Sequence, residues 1–383
     1  MNAKIRTAIF GTGFMGRVHT EGVRRLGNIE VAAIAGSSRE RAAKFAQTNG
    51  IERSTGDYRE LLTDRSIQAV HICTPNELHF PMATAALEAG KHVICEKPLA
   101  SSVPEAEQLT ALARQTGLTN CTFFNIRAYP QVQAMRWIVK NGGLGEILMV
   151  QGVYLQDWLL HDTDWNWRVE SGPSRTFADI GSHWCDLAEF VTGHKIDAVC
   201  ASVKTFFKTR QKPIGSVETF STARAADTTP VAIATEDYGA MIFQMEGGAQ
   251  GAVTVSQVSA GRKNGLRIEI YGTQAGLSWS AERPDELWIG HRDEPNKIVV
   301  KDPALMPEQA RGFADLPGGH SEGYDDTFKQ TFRRFYRSVE DRSAPVEFPQ
   351  FEDGLRQLRV LDAVLESSKT GAWKTVPAQG AHV

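Results

Sequence analysis

The chain has 383 residues, 42% hydrophobic and 23% charged, with a formal net charge of -3. That is ordinary globular composition, with enough chain for two domains and a sizeable core. It carries no broad basic field, which excludes nucleic acid as the obvious partner, and no apolar run long enough to span a bilayer, so no membrane partner is expected. Five cysteines, at 73, 95, 121, 185 and 200, form no C-x-x-C pair. An odd, scattered set argues against a disulfide framework or a zinc knuckle and for a reducing compartment. The N-terminus runs from Met1 to Arg6 straight into a strand without an apolar signal segment, so a cytoplasmic protein is expected.

Ile5 to Phe10 reads as a short buried strand, and Arg17 to Leu26 as a helix. Between them stands Gly11-Thr12-Gly13-Phe14-Met15-Gly16, a G-x-G-x-x-G turn in the strand-to-helix context that a dinucleotide requires. Gly11 permits the tight turn, Gly13 lets backbone approach a pyrophosphate, and Gly16 lets the helix pack on the strand. A second strand, Glu30 to Ala35, ends in Gly36-Ser37-Ser38-Arg39 and leads to a helix over Arg39 to Asn49. An NAD site usually has a carboxylate here for the ribose 2′-hydroxyl. Its absence, with two hydroxyls and an arginine in its place, suits a 2′-phosphate, and the expected cofactor is NADP or NAD with a slight preference for NADP. Arg39 read as a solvated first-turn residue, or stacked on the adenine, would not discriminate between them.

The alternation continues. Asp57 to Leu62 reads as a helical turn, and Ala69 to Cys73 as a strand followed by Thr74-Pro75-Asn76. A helix is expected from Pro81 to Glu88 with Gly90 after it, then a strand from His92 to Cys95, a helix from Pro104 to Thr116 and a strand from Leu118 to Phe123. This pattern predicts a doubly wound parallel sheet. Val93-Ile94-Cys95-Glu96-Lys97-Pro98 is apolar up to Cys95, polar at once, then stopped by proline. That delivers Glu96 and Lys97 to the carboxyl edge of the sheet, where ligands bind. His79 and His92 are lone histidines with no catalytic role assigned.

Asn125-Ile126-Arg127-Ala128-Tyr129-Pro130 leaves the last strand, a helix follows over Gln131 to Lys140, and the texture then changes. Alternating segments at 147–156, 199–208, 238–246, 250–258, 266–271 and 277–280, several joined by glycine turns, predict a largely antiparallel sheet with one face covered. Residues 211–231 read as a polar loop, and 322–340 and 352–369 as two helices. The expected division is 1–125 and 126–383, the C-terminal helices packing on the second domain or back on the first.

Asp179-Ile180-Gly181-Ser182-His183-Trp184-Cys185-Asp186 lies in a helical pattern running to Phe190. Asp179, His183 and Asp186 share one face. Three readings compete: an acid–base pair, a solvated helix face and, last, a divalent metal site, for which no second His/Cys cluster is at hand. A lysine at a strand end and an Asp-x-x-x-His helix suit removal of a hydride from a carbinol. His183 takes the hydroxyl proton, Lys97 bonds the oxygen, and Asp179 holds the imidazole.

Together the glycine loop, Thr74-Pro75-Asn76, Glu96-Lys97-Pro98 and Asp179-x-x-x-His183-x-x-Asp186 resemble the glucose–fructose oxidoreductase / inositol dehydrogenase family, also called Gfo/Idh/MocA. The resemblance implies an α/β fold, an N-terminal Rossmann doubly wound parallel sheet with a C-terminal α+β domain bearing an open, largely antiparallel sheet. It also implies a homo-dimer or homo-tetramer built through that sheet, and NAD(P)-dependent oxidation of a sugar, anhydrosugar or polyol. It makes Lys97, Asp179 and His183 the catalytic set; from the residues themselves, no metal is expected. On the cofactor side it places Gly11, Gly13, Phe14, Met15, Gly16, Ser37, Ser38, Arg39, Thr74, Asn76, His79, Glu96, Lys97, Asn125 and Arg127. On the substrate side fall Lys97, Arg127, Tyr129, Trp165, Arg168, Asp179, His183, His320 and Tyr324. Arg127 read instead as an interdomain ion pair, and the tryptophans read as an anchor for 157–172, are the plainer alternatives. The runs Asp164 to Arg168 and Gly318 to Tyr324 are similar to members acting on pyranosides and anhydrosugars, levoglucosan dehydrogenases among them. A keto-sugar reductase using NADPH, a redox glycosidase and a cofactor-binding sensor are the rival functions.

Overall fold

The computed structural model describes residues 4–170, 172–215 and 227–378. The chain divides into two units, one of residues 1–128 and 324–358, the other of 129–323 and 359–383.

In the first unit six parallel strands form one sheet: β1 (Ile5–Phe10), β2 (Ile29–Ala35), β3 (Arg53–Thr55), β4 (Ala69–Ile72), β5 (His92–Cys95) and β6 (Asn120–Thr122). They lie in the order β3-β2-β1-β4-β5-β6. The order reverses between β1 and β4, the crevice where a doubly wound sheet binds its ligand. Helices α1 (Phe14–Arg24), α2 (Arg39–Asn49), α3 (Arg59–Leu62), α4 (His79–Glu88) and α5 (Val103–Thr116) connect the strands. Local chemistry sets their ends. Ser102 caps α5 by accepting the Glu105 N–H at 3.4 Å, Pro104 sits in its first turn, and Gly117 closes it at φ +62°. α4 begins at His79, two residues before the proline expected to open it, because a 3₁₀ turn over Asn76–Leu78 feeds it.

The second unit carries a nine-stranded sheet. Its strands are β7 (Ile147–Leu155), β8 (Ile196–Lys204), β11 (Tyr238–Met245), β12 (Gln250–Ser256), β13 (Gly265–Gly272), β14 (Gly276–Ser280), β15 (Glu286–Gly290), β16 (Lys297–Val300) and β17 (Lys374–Thr375). The order is β16-β15-β14-β13-β7-β12-β11-β8-β17, and every pair is antiparallel except β7 with β12. β15, β16 and β17 were not expected. β9 (Thr209–Pro213) and β10 (Thr228–Ala232) form a separate antiparallel ribbon. The polar loop expected over 211–231 is therefore corrected at both ends: β-branched threonines and Val231 pair across the ribbon although neither face is strongly apolar. Its middle, 216–226, lies outside the described residues.

Helices α6 (Pro130–Lys140), α7 (Ser182–Thr192) and α8 (Glu308–Arg311) belong to the second unit. α7 is preceded by a π-helical turn over Phe177–Gly181. The single helical run expected from 179 to 190 is thus two segments, with Asp179 in the π turn and His183 in the α-helix. Trp184, fully buried, anchors α7 to the sheet by donating its indole N–H to the Arg267 carbonyl at 3.0 Å. Gly152 leaves room for it, since a Cβ there would meet that indole nitrogen at 2.7 Å.

Two long helices close the chain, α9 (Tyr324–Glu340) and α10 (Phe351–Thr370). α9 buries Phe328, Phe332, Phe335 and Tyr336 in the core of the first unit, with Ile9, Val23, Ile94 and Phe123. It packs closely on α1, where a Cβ on Gly22 would meet the Phe332 ring at 2.9 Å. α10 runs across the division at residues 358 and 359. No helix among the described residues is long and apolar enough to cross a membrane.

Candidate active site

The candidate residues fall into two groups, one in each unit. In the first unit the glycine loop leaves β1. Gly11 has φ +120°, and a Cβ there would lie 2.5 Å from the Cys73 carbonyl oxygen. A Cβ on Gly16 would lie 2.0 Å from the Gly11 oxygen, so the loop closes on itself through two obligatory glycines. Gly13 differs: a Cβ there would meet nothing within 4 Å. Packing does not demand that glycine, but an approaching phosphate does. Gly13 is also the N-cap of α1, which no side chain caps and whose first turn, with Phe14 and Met15, has no acidic residue. This end of the helix fits an anion. The residues present therefore suit a dinucleotide pyrophosphate.

At the end of β2, Ser38 caps α2 by accepting the Arg41 N–H at 3.3 Å, and Ser37 accepts from the Arg41 guanidinium at 3.5 Å. The Arg39 side chain is 78% exposed, 3.9 Å from Glu60. Arg41, two residues further on, was not expected at this site.

The ends of β4 and β5 are tied together by His79. Its Nδ1 lies 2.7 Å from the Pro98 carbonyl oxygen and its Nε2 3.0 Å from that of Thr74. Burial holds its pKa below the ordinary value against the pull of those two carbonyls. A neutral His79 has one N–H, so it donates to one of these carbonyls and rests against the other, between the loop after Thr74, which includes Asn76, and the turn after Lys97. Glu96 is buried, bonded through Oε1 to His19 Nε2 at 3.0 Å and through Oε2 to the Lys97 backbone N–H at 3.3 Å. Burial first, and the Glu96 charge second, push the thiols of Cys73 and Cys95 well above their usual range. Asn125 donates to Thr327 at 2.8 Å, and Arg127 pairs with Asp353 at 2.8 Å. Both partners lie in the first unit, so this ion pair does not join the two units as the plainer alternative for Arg127 supposed.

In the second unit the π turn is held from both sides. Glu236 accepts the N–H of Phe177 at 2.9 Å and the Ser174 hydroxyl at 2.6 Å. The Phe177 ring fills space left by two glycines: a Cβ on Gly181 would meet it at 2.5 Å and one on Gly239 at 2.2 Å. Asp179 then presents both carboxylate oxygens to partners. Arg168 Nε lies 3.3 Å from Oδ1, and the Gln257 amide donates to Oδ2 at 2.8 Å. Arg168 in turn stacks on Trp167, 4.4 Å from the ring centroid. Tyr154, buried and donating to Asn264 at 2.8 Å, has its phenol pushed up by burial and then by the Asp179 charge. His183 and Asp186 are buried, so the solvated-face reading is overturned. No group of three or more His, Cys, Asp or Glu among the described residues is placed to hold a metal ion.

The structure therefore joins Asp179 to Arg168, Glu96 to Lys97, and Thr74 to Pro98 through His79. Trp165 packs with Trp158 on Leu159, Val169 and Ile233, which is the anchoring arrangement, and Lys212 lies 5.4 Å from its ring centroid. Tyr129 is buried with its ring 5.1 Å from Trp279. His320 is exposed, its Nδ1 3.3 Å from the Gly318 carbonyl, and Tyr324 packs on Phe328 in the first unit. Gln257, Glu236 and His19 were missed; each stands beside other polar residues (Ser256, Thr235 and Asp237, Thr20 and Glu21), and no motif spacing marks it.

The comparisons agree with this geometry. Residues 5–124 match a family model described as "Oxidoreductase family, NAD-binding Rossmann fold", and residues 132–278 match the GFO/IDH/MocA C-terminal domain. A levoglucosan dehydrogenase of Pseudarthrobacter phenanthrenivorans is 29% identical over 395 residues, covering 97% of this chain and 98% of that protein. The solved structure of an oxidoreductase domain protein from Kribbella flavida is 30% identical with a TM-score of 0.89, covering 98% of this chain and all of that one. A levoglucosan dehydrogenase structure in complex with NADH and levoglucosan is 28% identical with a TM-score of 0.88, again covering 98% of this chain and all of that one. With its glycine loop, its parallel sheet and its second sheet all matched, the chain belongs to the GFO/IDH/MocA family of oxidoreductases, with an NAD-binding Rossmann fold.

Proposed function

We propose that the protein oxidises a secondary alcohol of a sugar, anhydrosugar or polyol, using a nicotinamide cofactor. The observation that carries this reading is the doubly held carboxylate of Asp179, fixed by Arg168 and Gln257 one helical turn before the buried His183. A carboxylate so restrained cannot swing away, and on this reading its charge acts on the His183 imidazole four residues further on. Such a charge orients the ring and favours its protonated form when a proton arrives. His183 takes the hydroxyl proton of the substrate, and Lys97 donates to the same oxygen and stabilises its developing charge. The nicotinamide, when bound, supplies the acceptor for the hydride. Support for the substrate class comes from the levoglucosan dehydrogenase similar over 97% of this chain. The lean to NADP rests on the sequence at Gly36 to Arg39, which has no carboxylate; the NADH-bound relative supports NAD.

Absorbance at the reduced-nicotinamide band tests the reading, with NAD and NADP separately, against levoglucosan, aldoses, polyols and glycosides. Reduction of cofactor by an anhydrosugar or pyranose, lost by about 10²-fold or more in Lys97→Ala and His183→Ala, is expected. Near wild-type turnover in Lys97→Ala would refute the assigned roles. Cofactor binding without turnover on any sugar would favour reduction of a keto-sugar, redox glycoside cleavage or a sensor.

A further inference from the structure

A line of four buried side chains in the first unit runs away from the Glu96-Lys97 turn. Glu96 Oε1 lies 3.0 Å from His19 Nε2. His19 Nδ1 lies 2.9 Å from His71 Nδ1, and His71 Nε2 lies 2.7 Å from the Tyr336 hydroxyl. Four elements contribute, α1, β4, the end of β5 and α9. Both histidines are fully buried and Tyr336 is 2% exposed. Aromatic rings surround the imidazoles: Phe123, Phe328 and Phe332 stand 4.8, 5.5 and 5.0 Å from His19, and Phe332 stands 4.8 Å from His71. Packing alone would fill this space with leucine or phenylalanine. Polar groups so placed need a reason, because each must find a partner among buried groups; besides the line itself, Tyr336 also bonds the Thr7 hydroxyl.

With Glu96 ionised and both rings neutral the contacts admit one proton each, and the line then runs in one direction. A carboxylate only accepts, so His19 Nε2 carries a hydrogen toward Glu96. A neutral His19 then has a bare Nδ1, which must accept from His71 Nδ1–H. His71 has in turn a bare Nε2, which accepts from the Tyr336 O–H. Burial first, and His19 second, hold the His71 pKa well below its ordinary value, which agrees with a neutral ring. Burial also raises the Tyr336 phenol, which agrees with a donor that keeps its proton.

We propose that Tyr336, His71 and His19 are positioning residues, a one-directional hydrogen-bond relay that fixes the Glu96 carboxylate and, through its bond to the Lys97 backbone N–H, sets Lys97 at the substrate oxygen. The proposal rests on the reading of Lys97 given above and extends it to three residues that touch neither substrate nor cofactor. Its signature is a mismatched pair of tautomers: hydrogen on Nε2 of His19 and on Nδ1 of His71, each ring neutral.

¹⁵N NMR of the histidine-labelled full-length protein reads this directly, with His19→Gln and His71→Asn assigning the signals. The expected result is opposite tautomers at the two rings, unchanged from pH 6 to 8. Two rings of the same tautomer, the reverse pattern, or an imidazolium at either ring in that range would overturn the relay. Turnover supplies a second arm. His71→Asn keeps an N–H donor where Nδ1 stands, whereas His71→Leu keeps volume and loses the donor. Asparagine loses the bond to Tyr336 but keeps the one to His19, so a kcat at least tenfold lower for the leucine variant than for the asparagine variant is expected, with the KM for the nicotinamide unchanged in both. A leucine variant as active as the asparagine one would reduce the line to packing and overturn the proposal. If the leucine variant does not fold, the tautomers of the unaltered protein decide. The tautomers need no substrate, so failure of the Lys97 reading, seen in Lys97→Ala, stays distinct from failure of the relay.

Discussion

Replacing Asp237 by Asn tests whether the second unit is held together by buried charge. Asp237 is fully buried, as are the guanidinium side chains of Arg175 and Arg210 that bond its Oδ1, Arg210 at 2.8 Å. Its Oδ2 accepts the backbone N–H groups of Phe206 and Phe207 at 2.7 and 2.9 Å. Asparagine removes the charge between two buried cations and turns either an NH₂ toward two N–H donors or a second donor toward the guanidiniums. Removing one partner of such a cluster costs about 3–5 kcal/mol, because the charge left behind is uncompensated. Against a total stability of about 5–15 kcal/mol that is a large share. For a unit of roughly 200 residues it corresponds to a fall in Tm of about 6–20 °C. Burial raises the Asp237 pKa, but the Phe207 N–H and the two arginines lower it by more, so the net direction is down. A depressed carboxylate contributes stability above its unfolded value, about 3.9, and that stability is lost as pH falls through the folded value. Thermal unfolding followed by circular dichroism across pH should therefore show a constant gap between wild type and Asp237→Asn from neutrality to about pH 4, narrowing below. A loss under about 1 kcal/mol at neutral pH, or a gap that widens on acidification, would refute the reasoning.

Two further substitutions separate cofactor binding from packing. Gly13→Ala adds a Cβ that meets nothing within 4 Å, whereas Gly16→Ala adds one 2.0 Å from the Gly11 oxygen. Gly13→Ala should keep its Tm and lose affinity for NAD or NADP in a thermal-shift titration, while Gly16→Ala should lose about 1–3 kcal/mol or more without any ligand. Equal stability in the two would contradict the loop geometry. Arg39→Ala removes an exposed side chain whose ion pair with Glu60 is long, so stability should stay within about 0.5 kcal/mol. If Arg39 meets a 2′-phosphate, the KM for NADP should rise about tenfold with that for NAD unchanged; a KM ratio that does not move removes Arg39 from the cofactor site.

Much of the first unit was legible because its signals are local. The switch from Val93-Ile94-Cys95 to Glu96-Lys97 marks a strand end by polarity alone, and the glycine loop is spaced for its turn. What escaped depends on partners far away in sequence. The side of α9 that carries Phe328, Phe332 and Tyr336 is plain as a stripe, but its place against α1 and His19 follows only from packing more than 300 residues apart. The ribbon of β9 and β10 escaped because both its faces are mixed and its prolines read as loop. The π turn escaped because Asp179 and His183 remain four residues apart in either kind of helix.

The position of Asp179 shows why such sites resist reading. Nothing in the Asp-x-x-x-His spacing specifies where the carboxylate points. That is set by Glu236 on the Phe177 N–H, by the Phe177 ring between Gly181 and Gly239, by the Arg175 carbonyl that accepts the Asp179 N–H at 2.7 Å, and by Arg168 and Gln257 on the carboxylate itself. The residue that accepts the Asp179 N–H also bonds Asp237, and Asp237 bonds Arg210, whose guanidinium holds the carbonyls of Leu159 and His161 at 2.9 and 2.7 Å. One buried acid thus restrains the backbone on which Asp179 turns and the start of the segment that carries Trp165 and Arg168. The geometry of the candidate site and the stability of the fold in this unit draw on the same few charges. Substitutions at Gly239 or Asp237, which are not candidates for contact with a substrate, should then lower turnover through the position of Asp179.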